Sequence, residues 1–588
     1  MKALRPFLTR PPAGVMAIVG AALLAIGLAP LPIGRTFTLK SLNQQISERT
    51  GLTAVADKAD VRLSFLPFPK ARILNLRITD PHGAPLARIG VLDAYLRPLD
   101  LIGGRLRFTG YAVSEAIIDA GEPAARAAWR TAGRKLIEAT LQPSAPSPAE
   151  LSVERSAVAT GSQPLTDVTA TISWGGAGSA LSAWARGRWK GEETEIRLSD
   201  FQPDTFFASQ GKGPVRFAVR SPFASIDYAG DIEGPEAPRG EGLLKLSVSS
   251  ADRLGRWLGF SAPLSGVIDR YSFEGRGPVS TRGFSSAAAT VTTGASQLEG
   301  TLALRVDDGR PQISGTLATQ DVDFDAIGSS LDSVRDTAGA WSQDGFDPSP
   351  LKRTDVDLRL SASRVRLLGA RLGEAAISIM LKSGRLEFVL GRAQAYQGAL
   401  RGRASLQALD GERVEARLQA NFEDMDIGAT LQDVAGRRLA SGRAQGQLQL
   451  ESTGRSATEI AKLLSGKINA QLKDGDLAGF NLVDAMRRPD RLSAELVSAQ
   501  AGRTTFQSLD VSATLAQGVA DTQDATLTAS GGVAAVASGQ ASVRDQTITL
   551  NGVARAPSIP GDGLRFTLSG PWRQPSLQWQ YSSVFKRS

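Results

Sequence analysis

The feature that most constrains the fold is an alternation of apolar and polar side chains with a period of two residues. It is clear in residues 59–83, where the pattern breaks at Pro67-Phe68-Pro69 and then resumes. The apolar members of this stretch are Val61, Leu63, Phe65, Leu74, Leu76 and Ile78. This alternation predicts β-strands with one apolar and one solvated face. The apolar face has to be covered by something, and the identity of that cover decides what the chain does.

A second stretch predicts a β-hairpin around Ser383-Gly384, a dipeptide that suits a tight turn. The apolar residues expected on one face of this hairpin are Ile377, Ile379, Leu381, Leu386, Phe388 and Leu390. Further turns between short alternating runs are predicted at 307–309, 410–411 and 474–475. The sequence therefore predicts a mostly β fold, a long meander of antiparallel strands.

Helices are predicted at few places, about 36–50, about 122–141 and after Gly454, where Ser456 and Glu459 form a capping-box pattern. A Pro- and Ser-rich linker is predicted at 142–150. A degenerate repeat puts an acidic residue after a strand and before a short helical turn, which suggests a repeated sheet unit. Its three copies are 249–260, 319–331 and 421–434.

The N-terminal segment 11–34 contains no charged residue, and its part 13–34 would be roughly 30 Å long as a helix, enough to cross a bilayer. Lys2, Arg5 and Arg10 precede it, so we expect a cytoplasmic N-terminus and export of everything after Arg35. The alternative is a cleaved signal peptide ending at 27–29. A proline follows that site directly, so a retained anchor is favoured.

The residues that usually carry enzyme chemistry are scarce. The chain has no cysteine, and its single histidine, His82, lies in a turn-like Asp-Pro-His-Gly sequence. The densest carboxylate group is Glu423, Asp424 and Asp426, which we interpret as capping a short helix. We therefore predict that the protein is not an enzyme and holds no cofactor or metal.

The net charge of +8 is scattered along the chain. Basic residues such as Arg62, Arg77 and Arg359 alternate with apolar ones, which is typical of a solvated sheet face. No helix-turn-helix or RNA-recognition pattern accompanies them, so a nucleic-acid partner is not expected.

Residues 46–120 resemble the N-terminal part of AsmA-family proteins of Gram-negative bacteria, in which a membrane helix precedes a Thr-Gly pair, a strand and a proline-flanked break. Residues 446–482 resemble the C-terminal region of that family, and 504–520 and 568–579 continue the likeness. The middle of the chain resembles the family only in its alternation.

This resemblance implies a fold class and a function. The fold would be a long, curled, antiparallel β-groove with an N-terminal transmembrane helix and a few short helices, and its apolar face would form a track for lipid tails. The two sets of alternating residues given above would then line the groove. The protein would be a single-pass bacterial inner-membrane protein with most of its chain in the periplasm. Its partners would be phospholipids, the inner membrane and the outer membrane or its proteins.

The resemblance also suggests five segments: a cytoplasmic tip and anchor, an N-terminal β module, a helix and linker, a repetitive β-groove, and a C-terminal β region. Their predicted bounds are 1–35, 36–120, 121–150, 151–440 and 441–588.

Two other functions stay open at this point. The chain could assist assembly of outer-membrane proteins by pairing an exposed sheet edge with a nascent strand. It could also be a secreted β-helix acting on polysaccharide, although no paired carboxylates are evident. The lipid conduit is favoured because the apolar alternation extends through the whole chain, whereas edge pairing requires only one receptive strand.

Overall fold

The computed structural model describes most of the chain from residue 34 to residue 580. The described ranges are 34–57, 61–64, 69–97, 106–140, 150–161, 163–176, 178–207, 211–234, 237–258, 269–294, 296–307, 310–325, 340–478, 481–487, 502–557, 563–571 and 575–580. The predicted anchor lies outside these ranges apart from Gly34. Among the helices in the described ranges, none is long and apolar enough to cross a membrane.

The described residues are mostly β-strand. The helices are α1 (Arg35–Thr50), α2 (Pro123–Thr140), α3 (Pro203–Phe207), α4 (Ala251–Leu258), α5 (Ile427–Ala435), α6 (Ala457–Leu463) and α7 (Leu482–Arg487), with 3₁₀ turns at Ser349–Lys352 and Ser530–Gly532. The first strands are β1 (Thr53–Val55), β2 (Val61–Ser64), β3 (Lys70–Thr79), β4 (Pro85–Leu96), β5 (Phe108–Asp119), β6 (Glu150–Ala159), β7 (Leu165–Trp174), β8 (Leu181–Trp189), β9 (Glu192–Phe201), β10 (Lys212–Arg220), β11 (Ala224–Glu233), β12 (Arg239–Val248), β13 (Tyr271–Ser280) and β14 (Gly283–Thr293).

The later strands are β15 (Ser296–Asp307), β16 (Arg310–Asp323), β17 (Asp355–Leu367), β18 (Ala370–Lys382), β19 (Arg385–Ala395), β20 (Gly398–Ala408), β21 (Val414–Asp426), β22 (Arg443–Gly454), β23 (Ser465–Ala478), β24 (Arg503–Ala516), β25 (Val519–Ala529), β26 (Ala534–Ser542), β27 (Thr547–Arg555), β28 (Leu564–Pro571) and β29 (Ser576–Gln580). The chain divides into two compact units, Met1–Leu246 with Pro278–Thr281 and Ser247–Gly277 with Arg282–Ser588. We call them the N-terminal and the C-terminal unit.

Strand pairing follows chain order in each unit, with one parallel pair in each. In the N-terminal unit β1 and β2 both pair with β3, and β3 to β5 are antiparallel. β5 and β6 are parallel, joined through α2, and β6 to β11 are antiparallel again. In the C-terminal unit β16 and β17 are parallel, and each later strand up to β29 is antiparallel to the next. The sheet is therefore mixed, which corrects the purely antiparallel prediction.

Most of the helices and hairpins predicted from the sequence are found in the structure. Both long helices form within a residue or two of their predicted bounds. The capping box forms as well, since the Ser456 hydroxyl accepts from the Glu459 N–H and the Glu459 carboxylate accepts from the Arg455 N–H. Two copies of the repeat contain the expected short helices, α4 and α5. Most of the helical part of the third copy lies outside the described residues.

The predicted turn at Asp474-Gly475 is wrong, because β23 runs through it as one strand. Asp474 has a φ of 48°, and a Cβ on Gly475 would overlap the carbonyl oxygen of Ser441. An Asp-Gly pair suits any site that needs left-handed backbone and close approach of a neighbouring strand, and here that site lies within a continuous strand.

The N-terminal unit has a closed core on one face of its first strands. Leu42 of α1 and Ala125 and Ala132 of α2 belong to the same buried cluster as the apolar residues of β2 to β5. Phe108, Ile73 and Leu76 are among its most deeply buried side chains. In this part of the chain, therefore, two helices cover the apolar face of the sheet.

The alternation within β3 shifts by one residue at Asn75. Ala71 and Ile73 are buried before it, Leu76 and Ile78 are buried after it, and Leu74 is only half-buried. Asn75 has a φ of 52°, and a strand residue in this left-handed conformation turns the side chains after it to the opposite face of the sheet. Leu74 therefore lies on the opposite face from its predicted companions, which corrects the uninterrupted alternation.

A polar cluster holds β3 to β4 on the face away from this core. Asp93 accepts hydrogen bonds from Lys70 Nζ at 2.8 Å and from Arg72 Nε at 2.7 Å, and the Asp93 side chain is only 11% exposed. The hydrogen bonds from Arg72 hold the pKa of Asp93 below its usual range.

We expect Asp93→Asn to lower the free energy of unfolding by about 2 kcal/mol at neutral pH, because hydrogen bonds to a largely buried charge are lost. A carboxylate with a lowered folded-state pKa stabilises the fold fully above its unfolded pKa of about 4, and this contribution disappears as the pH falls further. The difference between wild type and variant in urea denaturation should thus shrink below about pH 4. An equal difference at all pH values would contradict this account.

Candidate functional site

The candidate site is the apolar face of the sheet in the C-terminal unit, where paired residues of successive strands form continuous rows across β15 to β24. We call these the apolar rows. One consists of Leu302, Gly315, Leu358, Ile379, Phe388, Ala404, Leu418, Leu450, Gly466 and Leu515. The next consists of Gly300, Leu317, Leu360, Ile377, Leu390, Gly402, Ala420, Leu448, Ile468 and Ala513.

A third apolar row crosses seven strands on the same face, β15 to β21. It consists of Leu304, Ile313, Val356, Leu381, Leu386, Leu406 and Ala416. Residues two apart along a strand face the same side and are separated by about 6.7 Å. The three rows therefore make a band of aliphatic and aromatic groups that runs across the strands.

The opposite face of the same strands is polar. The row between the first two apolar rows, on the other side of the sheet, is Thr301, Thr316, Arg359, Ser378, Val389, Arg403, Gln419, Gln449, Lys467 and Thr514. Ion pairs such as Arg403 with Glu387, at 3.1 Å, lie on this face. We call it the polar face, and its composition fits contact with water.

The six residues predicted for the hairpin occupy adjacent places in the three rows. Their pairs are Ile377 with Leu390, Ile379 with Phe388 and Leu381 with Leu386. The turn has the predicted form too, because Ser383 and Gly384 both have positive φ. The shared face of this hairpin is thus confirmed.

Burial varies along the apolar rows. Of the six hairpin residues, Ile377, Leu381 and Leu390 are buried, whereas Ile379, Leu386 and Phe388 are half-buried. Further along the first row Leu418 is 40% exposed. The Phe324 ring packs edge-on against Phe388, with ring centroids 6.1 Å apart. Part of the band is therefore covered by the protein and part of it is accessible.

Residues 340–352, which we call the strap, lie along the ends of several strands in the C-terminal unit. Trp341 Nε1 donates to the carbonyl oxygen of Val543 at 2.9 Å, and the Thr458 hydroxyl donates to the carbonyl oxygen of Trp341 at 2.8 Å. At the other end of the strap Leu351 packs with Val356 and Leu381. The strap thus links strand ends that are far apart in the sequence and covers the outer end of the third row.

The N-terminal unit has apolar rows of its own, on strands β6 to β11. One consists of Leu151, Ile172, Ala183, Leu198, Phe217 and Tyr228, and the other of Val153, Ala170, Ala185, Ile196, Val219 and Ile226. Ile172, Ile196 and Phe217 are more than a third exposed. The sequence analysis did not single these residues out, although their alternation could have identified them.

The residues predicted near the N-terminus have a different setting. Val61, Leu76 and Ile78 belong to the core that α1 and α2 cover, and Leu74 lies on the other face. Phe65 and the side chain of Leu63 lie outside the described residues. The accessible apolar rows are therefore those on β6 to β11 and in the C-terminal unit.

The carboxylates and the histidine considered for chemistry have structural partners. The Asp426 side chain caps α5 by accepting from the Ala429 N–H at 3.1 Å, as predicted. Asp424 lies 3.2 Å from Arg443, and Glu423 is exposed. His82 is exposed in the turn between β3 and β4, where Asp80 accepts from its backbone N–H.

Part of the chain matches a known protein family. Residues 289–525 match the family model described as the AsmA family. All three apolar rows of the C-terminal unit lie inside the matched residues, whereas the resemblance noted at 46–120 and 568–579 lies outside them. No curated protein and no solved structure matches the chain. The match of residues 289–525, which form part of the long mixed sheet, supports an AsmA-family assignment for this part of the chain.

Proposed function

We propose that this protein is a lipid conduit, in which the apolar rows hold the acyl chains of phospholipids and guide them along the sheet. The match of residues 289–525 to the AsmA family model supports a general role in lipid transport and the cell envelope. The observation that carries the finer proposal is the register of the rows, in which every position from β15 to β24 is an apolar residue or glycine in two rows.

The physical argument concerns the cost of moving a lipid through water. Exposing a sixteen-carbon chain costs on the order of 10 kcal/mol, at about 0.8 kcal/mol for each methylene group. A band that offers the same apolar contact on every successive strand removes most of this cost at each step. The polar face would remain in water throughout.

The proposal includes a location. The uncharged segment 11–34 and the three basic residues before it favour an inner-membrane anchor with the N-terminus in the cytoplasm. The sheet would then lie in the periplasm, between two membranes that exchange phospholipid. In this setting the chain would carry lipid without chemically changing it.

A pair of photo-crosslinking residues tests the conduit. Leu418 lies in an apolar row and is 40% exposed, whereas Met380 is 43% exposed on the polar face, paired with Asp357 and Glu387. We expect a photo-reactive amino acid at 418 to capture phospholipid in cells and one at 380 to capture little. Mass spectrometry of the purified adducts measures both.

The comparison is informative because both side chains are apolar and equally exposed. Equal lipid capture at 418 and 380 would indicate general membrane proximity and would contradict a conduit. Capture of outer-membrane proteins alone at both positions would favour the assembly function instead.

A further inference from the structure

We propose that Leu351 of the strap competes with phospholipid acyl chains for the third apolar row. At β17 to β20 a lipid would then use two rows while Leu351 is in place and a third row when it has moved away. The inference rests on the proposed function and adds to it a control on how much aliphatic chain the sheet can hold. We call residues 347–352, the end of the strap, the plug.

The plug lies on the apolar face of the sheet. Its 3₁₀ turn is close to β18, β19 and β20. Leu351 is 8% exposed and shares a buried cluster with Val356 and Leu381 of the third row. Leu386 and Leu406, the next two members of that row, pack against the same cluster and are half-buried. Leu351 therefore occupies space that an acyl chain would need in order to contact this part of the row.

The Leu351 side chain and a saturated acyl chain make the same kind of contact. Both present only methyl and methylene groups, and hydrophobic contact is non-directional. When a lipid chain replaces the leucine, the third row stays covered, and the net cost is the exposure of one leucine side chain. This cost favours the plug when lipid is scarce and is overcome when lipid fills the band.

The part of the strap before the plug is anchored by hydrogen bonds. The Thr458 N–H donates to the carbonyl oxygen of Ser342 at 3.0 Å, and the Phe346 N–H donates to the carbonyl oxygen of Arg455 at 2.7 Å. Together with the bonds of Trp341 described above, they fix this part of the strap beside α6.

The plug itself is held to the sheet by apolar packing. Among the described residues, its hydrogen bonds stay within the plug or join it to Arg353, which follows it directly. They run from the N–H of Ser349 to Asp347, from that of Leu351 to Pro348 and from that of Arg353 to Pro350. Because no hydrogen bond to the sheet has to break, the plug can move away while the rest of the strap stays in place.

Photo-crosslinking beside the plug tests this competition. A photo-reactive amino acid at 406 reports on the third row where Leu351 packs, and one at 418 reports on the first row. The purified full chain is placed in micelles that contain dipalmitoyl phosphatidylethanolamine. The otherwise unchanged chain is compared with Leu351→Ala, which shortens the plug, and with Leu482→Ala, which shortens a buried leucine of a separate cluster.

We expect Leu351→Ala to raise lipid capture at 406 about fourfold, the factor that corresponds to losing the contact of about one methylene group of the plug. Capture at 418 should stay the same, because Leu418 lies outside the cluster of Leu351. Leu482→Ala should change neither. A rise at both positions, or a rise in both variants, would mean general loosening of the fold and would overturn the proposal.

A reversible lock tests whether the plug moves when Leu351 is intact. The chain has no cysteine, so Lys352→Cys with Gly384→Cys introduces one pair of thiols. A Cβ on Gly384 would lie 3.3 Å from Lys352 Cγ, close to the distance of about 3 Å between a Cβ and the partner sulfur in a disulfide. The oxidised protein should lose most of its lipid capture at 406 relative to the same protein with reduced thiols, which controls for both substitutions.

The outcomes separate this inference from the conduit itself. Absence of any lipid adduct at 418 in the unchanged chain would overturn the proposed function. Lipid capture at 418, with equal capture at 406 in the oxidised and reduced proteins, would mean that the plug is a permanent part of the core. That result would overturn only the present inference, and a rise in Leu351→Ala would then report a cavity that the substitution had created.

Discussion

Leu76→Glu should unfold the N-terminal unit. Leu76 is 1% exposed within the core that α1 and α2 cover. A carboxylate in such a place costs several kcal/mol even after relaxation, which is comparable with the whole stability of many domains, about 5–15 kcal/mol. Limited proteolysis of the full chain, with the fragments mapped by mass spectrometry, should show cleavage throughout β1 to β6 in the variant and not in the wild type.

The matched control is Ile117→Glu in the same unit, because Ile117 is 59% exposed on β5. This change should leave the proteolysis pattern as it is in the wild type. If Leu76→Glu also leaves the pattern unchanged, the apolar face under the two helices is not a sealed core, and it would have to be considered a second lipid-accessible surface.

The second large effect is expected at the accessible part of the apolar rows. Leu418→Glu should leave the protein folded, since a side chain that is 40% exposed can direct its carboxylate to water. It should lower the amount of bound phospholipid about tenfold, because losing contact with about two methylene groups removes roughly 1.6 kcal/mol of binding energy. Lipid mass spectrometry on the purified full chain measures this loss.

Met380→Glu provides the control, with the same charge at the same exposure on the polar face. It should leave the amount of bound lipid unchanged. An equal loss in both variants would mean that added negative charge repels lipid anywhere on the surface, and the apolar rows would lose their special role.

The hairpin of β18 and β19 shows how much of the site could be predicted from the sequence. The alternation set which residues share a face, and Ser383-Gly384 set the turn, so the pairs of Ile379 with Phe388 and of Leu381 with Leu386 followed directly. Helix ends were equally local, because Ser456 and Glu459 cap α6 through backbone groups only a few residues away. Signals of this kind need no information from distant parts of the chain.

What covers a face depends on distant residues, and alternation carries no information about them. The core around Leu76 is closed by Leu42 and Ala132, which belong to helices on either side of it in the sequence. The strap is a similar case, since the Trp341 side chain reaches a carbonyl group about two hundred residues later. Periodicity also cannot foresee a shift such as the one at Asn75, where a single backbone angle changes the facing of all later side chains.

The order of strand pairing has a consequence for how the protein forms. Nearly every described strand pairs with the strand before it and the strand after it in the chain. Each new hairpin can therefore be added as soon as it has been synthesised, onto an edge that is already in place. Such local assembly avoids the slow search that long-range strand pairing requires.

The two parallel pairs interrupt this sequence. Between β5 and β6, and again between β16 and β17, the chain must cross the sheet before the next strand can pair. In repetitive structures stability is roughly a sum of neighbour contacts, and growth can pause where a contact is slow to form. Addition of strands is therefore expected to be slowest at these two crossovers.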